Sequence, residues 1–465
     1  MNLVELDAVE LAERIRLREV SCTEVMAAYL DQIEQHNPRL NAIVALRDRD
    51  ELMREAAERD REPHRGWLHG FPLAVKDLSA AAGLPWTFGS PVFAEQVAQH
   101  DDLFVRRMKD AGAIVIGKTN VPEFGLGSQT YNPVYGPTRN PLDPSRTPGG
   151  SSGGAAAAVA ARMLPVADGS DYLGSLRNPA AFTNIYGFRP SLGRVPSTSF
   201  VAQLDTAGPM GRTVADVAAL LSVQAGPDPR APLSLGDDPS MFMPPFEPRD
   251  FAGTRIAWVG DFDGYLPMDP GVLDVCRDAF AGFTALGCEV VPAVPDYPMD
   301  RVWRAVLTWR GFNVAANLGS LYRAPELRAQ LKPELVWELE QGLGLSAADL
   351  GPASLERTRW LEALLRFFED YDFILAPSAQ VFPFDVDVPW PKTVGGREMD
   401  TYHRWMETVA PWSLAGVPVL GMPAGFTADG LPMGVQLIGK PRADLDVLHL
   451  AAAHETQRKL LRAKA

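Results

Sequence analysis

Three short segments hold residue types that suit proton transfer and nucleophilic attack. In the first, Lys76 closes the apolar run Gly70-Phe-Pro-Leu-Ala-Val-Lys76-Asp77. Lysine is seldom buried unless paired. Desolvation favours the neutral amine, so a lysine at the end of an apolar strand can serve as a general base. A surface lysine just past a strand end fits the same pattern. The second segment is Pro148-Gly-Gly-Ser151-Ser152-Gly-Gly154. Its paired glycines admit backbone conformations closed to other residues and allow close approach to a ligand. A serine-capped turn before a helix fits equally well. The third runs Asp168-Gly-Ser170-Asp171-Tyr172-Leu173-Gly174-Ser175-Leu176-Arg177-Asn178-Pro179-Ala180. A small polar cluster between a strand and a helix can aim consecutive N–H groups at one point, as an oxyanion requires. It can also be plain connecting structure.

Two better-known patterns match only literally. Gly112-Ala-Ile-Val-Ile-Gly117-Lys118-Thr119 has phosphate-loop spacing. Its middle residues are small or β-branched and read as a buried strand, and Pro122 follows closely. Gly149-Gly-Ser-Ser-Gly153 has the spacing of a hydrolase nucleophile elbow, which must follow a strand. The Pro-rich stretch before it cannot pair as a central strand. His449 and His454 lie in an amphipathic tail helix, away from these motifs. No His-Glu-x-x-His or clustered Cys/His pattern occurs, so no metal is expected.

The elements around the motifs alternate. The first sixty residues read as helical, with Val4, Ala8, Leu11 and Ile15 on one face. Ser21 to Glu24 forms a capping box, and Asn37-Pro38 is expected to stop the helix that follows. Short strands are expected at Asn41–Leu46, Leu73–Val75, Ala113–Ile116, Arg255–Val259, Glu289–Pro292, Phe373–Pro377 and Val417–Gly421. Helices are expected at Asp48–Arg59, Asp102–Asp110, Ala155–Arg162, Val214–Val223, Pro270–Leu286 and Ala443–Lys459. This alternation predicts an α/β architecture with a buried, largely parallel sheet. A helix-rich stretch from about 300 to 369 carries Trp303, Trp309, Trp337 and Trp360. Such aromatics form core or wall a substrate pocket.

Composition narrows the classes. The chain has 465 residues, 46% hydrophobic and 22% charged, ordinary values for a globular protein. A net charge of −14 argues against wrapping nucleic acid or an anionic membrane. The three cysteines, Cys22, Cys276 and Cys288, are odd in number and fit no zinc spacing. They read as buried hydrophobes in a reducing compartment. With acidic residues in MNLVELDAVELAERI no signal peptide is expected, and no apolar run is long enough to span a bilayer. A cytoplasmic protein is expected.

Taken in order, the three segments resemble the amidase signature family, which includes fatty-acid amide hydrolase and the glutamine-handling component of aminoacyl-tRNA amidotransferase. Ser151 and Ser175 stand at the family's usual separation, with Lys76 upstream in apolar context. Gly117-Lys-Thr-Asn-Val-Pro-Glu-Phe124, Gly136-Pro-Thr-Arg-Asn-Pro141 and the stretch from Pro423 to Gly434 are also similar to the family. The resemblance implies one α/β domain over 1–465, with a central mixed, mainly parallel sheet flanked by helices. Within it, 1–60 would be N-terminal helices and 65–225 the signature core. About 227–370 would be a variable substrate-side insert, and 371–465 the return to the core.

It further implies that Ser175 is the nucleophile, Ser151 the bridging serine after a cis Gly150–Ser151 bond, and Lys76 the base. The N–H groups of Tyr172, Leu173, Gly174 and Ser175 would hold the oxyanion. Ser152, Ser170, Asp171 and Arg177 would orient these groups. No histidine, metal or cofactor is called for. Leu173 stands where the family usually has glycine, which is expected to narrow the acyl pocket or shift the turn. Gln129, Tyr131, Trp309 and Phe312 are the expected pocket residues. The implied activity is hydrolysis of small-molecule amides, with carbamates (as in a urethanase) and esters as variants, on aryl or apolar substrates. A monomer or homodimer is expected, with no nucleic acid or membrane partner. The alternatives are an amidotransferase component delivering ammonia to a partner, and a non-catalytic binding descendant.

Overall fold

The computed structural model describes residues 2–199 and 204–464. Helix α1 (Ala8–Arg16) buries Ala8, Leu11 and Ile15, the expected stripe. Helix α2 (Cys22–Leu40) starts at the Ser21–Glu24 capping box. It does not stop at Asn37-Pro38 but runs on to Leu40. Proline removes one helical hydrogen bond, and near the end of a helix the loss is offset. The Asn37 side chain accepts the N–H groups of Ala42 and Ile43, both at 2.9 Å, and closes the terminus itself. Strand β1 (Ile43–Val44) follows, then α3 (Arg49–Arg59), β2 (Pro72–Lys76), α4 (Leu103–Asp110) and β3 (Ile114–Thr119). The phosphate-loop look-alike is therefore a strand, buried throughout. β2 runs parallel to β3 with Lys76 opposite Thr119, and β1 pairs on the far side of β3.

The second half of the core begins with α5 (Gly153–Ala160), β4 (Val166–Asp171), α6 (Arg177–Thr183), β5 (Tyr186–Arg189), β6 (Thr206–Gly211) and α7 (Val214–Gln224). Strand β7 (Arg255–Trp258) leads to two short helices, α8 (Val272–Arg277) and α9 (Phe280–Ala285), in place of the single helix expected over Pro270–Leu286. Strand β8 (Glu289–Pro292) precedes the helices α10 (Met299–Arg323), α11 (Pro325–Arg328), α12 (Pro333–Leu343) and α13 (Ala347–Asp370). Then come β9 (Phe373–Pro377), the small hairpin of β10 (Thr393–Val394) and β11 (Arg397–Glu398), α14 (Ala410–Ala415), β12 (Val419–Phe426), β13 (Pro432–Ile438) and α15 (Asp444–Lys464).

These strands form an eight-stranded mixed sheet, in the order β4-β6-β5-β12-β13-β9-β7-β8, with helices packed around it. The mixed α/β fold is as expected, but the sheet is not mainly parallel. β7 runs parallel to β8 and β9, while the other five junctions are antiparallel. Alternation of strands and helices sets the length of the connections. It does not fix the end at which each connection re-enters the sheet, and a helical connection can return a strand in either direction.

The tryptophans of the helical stretch belong to the core or its margin. Trp303 and Trp360 are buried, and Trp360 Nε1 donates to Pro411 O at 2.8 Å. The three cysteines are free and buried. Among the described residues no helix is long and apolar enough to cross a membrane.

Candidate active site

Lys76 ends β2 and is fully buried, which removes the surface-lysine reading. Its Nζ lies 2.9 Å from Ser151 Oγ, 2.8 Å from Ser152 Oγ, and 3.0 Å from Ser170 Oγ. Ser170 O completes the cage at 3.3 Å. Hydroxyls ring the amine, and none of them carries charge. Burial therefore lowers the Lys76 pKa to about 7, while Asp168, Asp171 and Asp205 pull in the opposite direction. Near neutral pH a large share of Lys76 is a free amine, whose lone pair can accept the Ser151 proton.

Ser151 sits on a turn that only small residues allow. Gly149 adopts φ +79°, and a Cβ there would meet Pro179 Cα at 3.0 Å. The Gly150–Ser151 peptide is cis. Neighbouring hydroxyls hold this backbone: Ser128 Oγ donates to Gly150 O at 2.7 Å, and Thr130 Oγ1 to Gly149 O at 2.8 Å. α5 starts two residues later. Ser152 is its N-cap by position, yet its side chain makes no cap bond. That Oγ faces Lys76 instead and accepts the Ser170 N–H at 3.3 Å.

Between β4 and α6 lies the turn Tyr172–Leu176. Asp171 organises it from beneath. Its Oδ1 accepts the Gly174 N–H at 2.9 Å, and its Oδ2 the Leu176 N–H at 3.1 Å. Arg177 grips the same carboxylate in two places, Nε to Oδ2 at 2.9 Å and Nη2 to Oδ1 at 2.8 Å. Arg189 adds a contact to Oδ1 at 3.3 Å. Burial alone would raise the Asp171 pKa, but Arg177 and Arg189 hold it far below the usual carboxylate range. The expected oxyanion set needs one correction. The Gly174 N–H is spent on Asp171 and is not free for a substrate. Those of Tyr172, Leu173 and Ser175 have no hydrogen-bond partner among the described residues.

Leu173 also departs from expectation. Its φ is not positive, so the backbone at this position does not require glycine. It is buried in a hydrophobic cluster with Phe262, Val409 and Trp412. The side chain turns into the core and does not narrow the cavity. Gly174 is the residue the turn demands, at φ +87° against Asn178.

Ser151, Ser170, Tyr172 and Ser175 share a cavity of about 300 Å³. Ser175 is 8% exposed, and its side chain makes no hydrogen bond among the described residues. The hydroxyl is thus open to an incoming group, and such links commonly tighten only once substrate is bound. None of the four expected pocket residues lines this cavity. Gln129 is structural: its Nε2 donates to Val386 O at 2.7 Å. Tyr131 packs near the Lys332 ammonium. Trp309 and Phe312 pack against each other, ring centroids 5.9 Å apart. They stand on the helix that walls the cavity, but on another of its faces. Arg310, Asn313, Val314, Asn317 and Leu318 of α10 line the cavity. Their spacing is the i, i+3, i+4, i+7, i+8 stripe of one helical face, a signal present in the sequence. Leu78, Phe88, Phe124 and Leu126 add apolar surface, with Phe88 and Phe124 stacked at 6.1 Å.

A second buried lysine stands behind the first. Lys118 Nζ donates to Ser79 O at 2.5 Å and lies 3.7 Å from Asp77. Asp168, on β4, accepts the Lys76 backbone N–H at 3.3 Å on both oxygens. Burial raises the Asp168 pKa to about 6, against the pull of its own hydrogen bond and of both lysines. These residues tie the edge strand of the large sheet to β2 of the small one. Among the described residues no cluster of metal-ligating side chains occurs.

Comparison with known proteins points in one direction. A family profile described as Amidase matches residues 24–448. The chain is 36% identical to an acylamidase of Rhodococcus erythropolis, over 98% of this chain and 96% of that one. It is 34% identical to a component of the glutamyl-tRNA(Gln) amidotransferase of Myxococcus xanthus, over the full length of both. Among solved structures, a bacterial aryl acylamidase of the amidase signature enzymes superposes with a TM-score of 0.88. It is 31% identical, over 97% of this chain and 96% of that one. The 6-aminohexanoate cyclic dimer hydrolase, in complex with its substrate, gives 0.83 at 26% identity, over 98% of each chain.

Proposed function

Since the chain belongs to the amidase family, whose members include amide-hydrolysing enzymes, we propose that it cleaves small aryl or apolar carboxamides through an acyl-enzyme on Ser175. The observation that carries the mechanism is the buried Lys76 amine at 2.9 Å from Ser151 Oγ, beside the cavity that holds Ser175. Neutral Lys76 accepts the Ser151 proton as Ser151 accepts that of Ser175. Ser175 Oγ forms its bond to the substrate carbonyl carbon, and the carbonyl electron pair moves onto oxygen. The N–H groups of Tyr172, Leu173 and Ser175 receive that oxyanion. As the tetrahedral adduct collapses, the C–N bond breaks. Ser151 passes a proton to the leaving amine and regains one from Lys76. Water then repeats the sequence on the acyl-enzyme and frees Ser175.

Phe88, Phe124, Leu78 and Leu126 support the aryl or apolar preference. Carbamates and esters pass through the same tetrahedral geometry, so both fall within the proposal. The enzyme works on small molecules in the cytoplasm, as a monomer or homodimer and without a cofactor. The test is a matched panel of an aryl amide, an aryl carbamate and an aryl ester. Turnover of the amide, lost in Ser175→Ala, supports the reading; hydrolysis of the ester alone counts against it.

A second reading, a component of an amidotransferase, is favoured by the relatives of that name. It predicts ammonia release from glutamine and a partner that co-purifies with the chain.

A further inference from the structure

Two residues that line the catalytic cavity each carry a buried acceptor with nothing to receive. Asn313 lines it and is 4% exposed, and its Oδ1 has no hydrogen-bond partner among the described residues. Its Nδ2 is spent on the Tyr172 hydroxyl at 2.8 Å, which fixes the amide and leaves Oδ1 as the open end. Asp205 lines the same cavity, and its Oδ1 is likewise buried without a partner among the described residues. Burial pushes the Asp205 pKa up, and Arg189 and Lys76 act on it through space in the opposite direction, as an incoming ammonium would. The hydrogen bonds of that guanidinium go to Asp171, Leu204 and Ser413.

Buried polar atoms are almost always hydrogen-bonded, because an unmade bond costs the full desolvation of the group. Two open acceptors in one cavity therefore call for a ligand that brings donors. The cavity offers little to an anion. Arg310 is the cation lining it among the described residues, and its charge is already paired with buried Glu338. Nε donates to Glu338 Oε1 at 2.5 Å, and Nη2 to the Tyr402 hydroxyl at 2.7 Å.

We propose that the preferred substrate carries, beside the scissile carbonyl, an amino or ammonium group that Asp205 and Asn313 receive. The proposal rests on the amide-hydrolase reading and narrows it to amine-bearing amides with an apolar or aryl body. Substrates with a free carboxylate are disfavoured, because they meet an unpaired aspartate and an arginine whose charge Glu338 already balances.

The test compares acetanilides bearing 4-aminomethyl, 4-methyl or 4-carboxyl groups. A second series places the same three groups on benzamide, so that the donor is tried on both sides of the scissile bond. In at least one series kcat/KM is expected to rise about tenfold or more from methyl to aminomethyl, the size of a hydrogen bond to a charged group. It is expected to fall by a similar factor from methyl to carboxyl. In Asp205→Asn the aminomethyl advantage shrinks to about threefold or less, and Asn313→Ala reduces it independently. Ratios are taken within each variant, so a general loss of activity cancels. Equal rates across both series, or an advantage untouched by either variant, overturns the proposal. If the wild-type enzyme cleaves none of the six, the amide-hydrolase reading fails. The same compounds are then ranked by calorimetric binding. Tightest binding of an aminomethyl compound upholds the donor-receiving cavity, and indifferent binding overturns it.

Discussion

Lys76 works in this mechanism only without its proton, and its pKa is drawn down to about 7 by burial. Below that pH the amine is charged and cannot accept from Ser151; above it the amine is free. kcat/KM is therefore expected to climb between about pH 6 and 8 and then level off, with a midpoint near the Lys76 value. The neighbouring carboxylates favour the charged amine, so removing one moves the rise to lower pH. Asp168→Asn is expected to shift the midpoint down, and pH–rate profiles of the two proteins read this directly. A flat profile from pH 5 to 9 would exclude Lys76 as the titrating base. Replacing Lys76 by alanine is expected to cut kcat by about 10²–10⁴-fold, the usual worth of a positioned general base. At this scale the sequence is informative. Each of the three segments alone fits a plain structural reading, and it is their order and resemblance to the amidase signature family that single out Lys76, Ser151 and Ser175. The commitment of the Gly174 N–H to Asp171 is not visible there, because it depends on which way a carboxylate faces inside a turn.

The β4–α6 turn shows what holds the site still. Asp171 binds two N–H groups of the turn and two guanidiniums, all of them buried. Removing one partner of a buried charge cluster leaves the others uncompensated, at about 3–5 kcal/mol. Asp171→Ala is expected to lose stability on that scale in urea unfolding, and to lose activity with it. The folded pKa of Asp171 is depressed, so its contribution is present above the ordinary carboxylate pKa and fades as the pH falls below it. Helix α10 sets the other wall. Phe124→Ala, which removes one ring of the stacked pair facing that helix, is expected to raise KM for aryl amides by about tenfold and to leave aliphatic amides nearly unchanged. Steady-state kinetics on matched substrates measures this. Elements with strong periodicity are legible from sequence, α1 and the α2 capping box among them. β6, with the sequence Thr-Ala-Gly-Pro-Met-Gly, and β13, which opens on Pro432, are not. Their glycines and prolines read as loop, and only neighbouring strands make them strands. On α10 the aromatic residues are the conspicuous ones, yet the polar and aliphatic stripe beside them faces the cavity.

Across the whole molecule, the site is assembled from four distant stretches of chain. Lys76 comes from the small sheet, Ser151 from the turn before α5, Ser175 from the turn after the edge strand β4, and the substrate wall from α10. The bond from the Lys76 backbone to Asp168 joins the two sheets at the point of chemistry. The α/β class and the order of the motifs are readable in sequence, because each segment announces itself locally. The antiparallel majority of the large sheet is not, since strand direction is decided by how distant segments return. The account thus requires that Ser175 be reactive only in the folded chain with Lys76 in place. Fluorophosphonate labelling followed by peptide mass mapping tests this most directly. The prediction is a single adduct on Ser175 in native protein, slowed in Lys76→Ala and absent after unfolding in urea. Clean, folded protein that carries no adduct on Ser175, or carries it on Ser151 instead, would contradict the proposed relay.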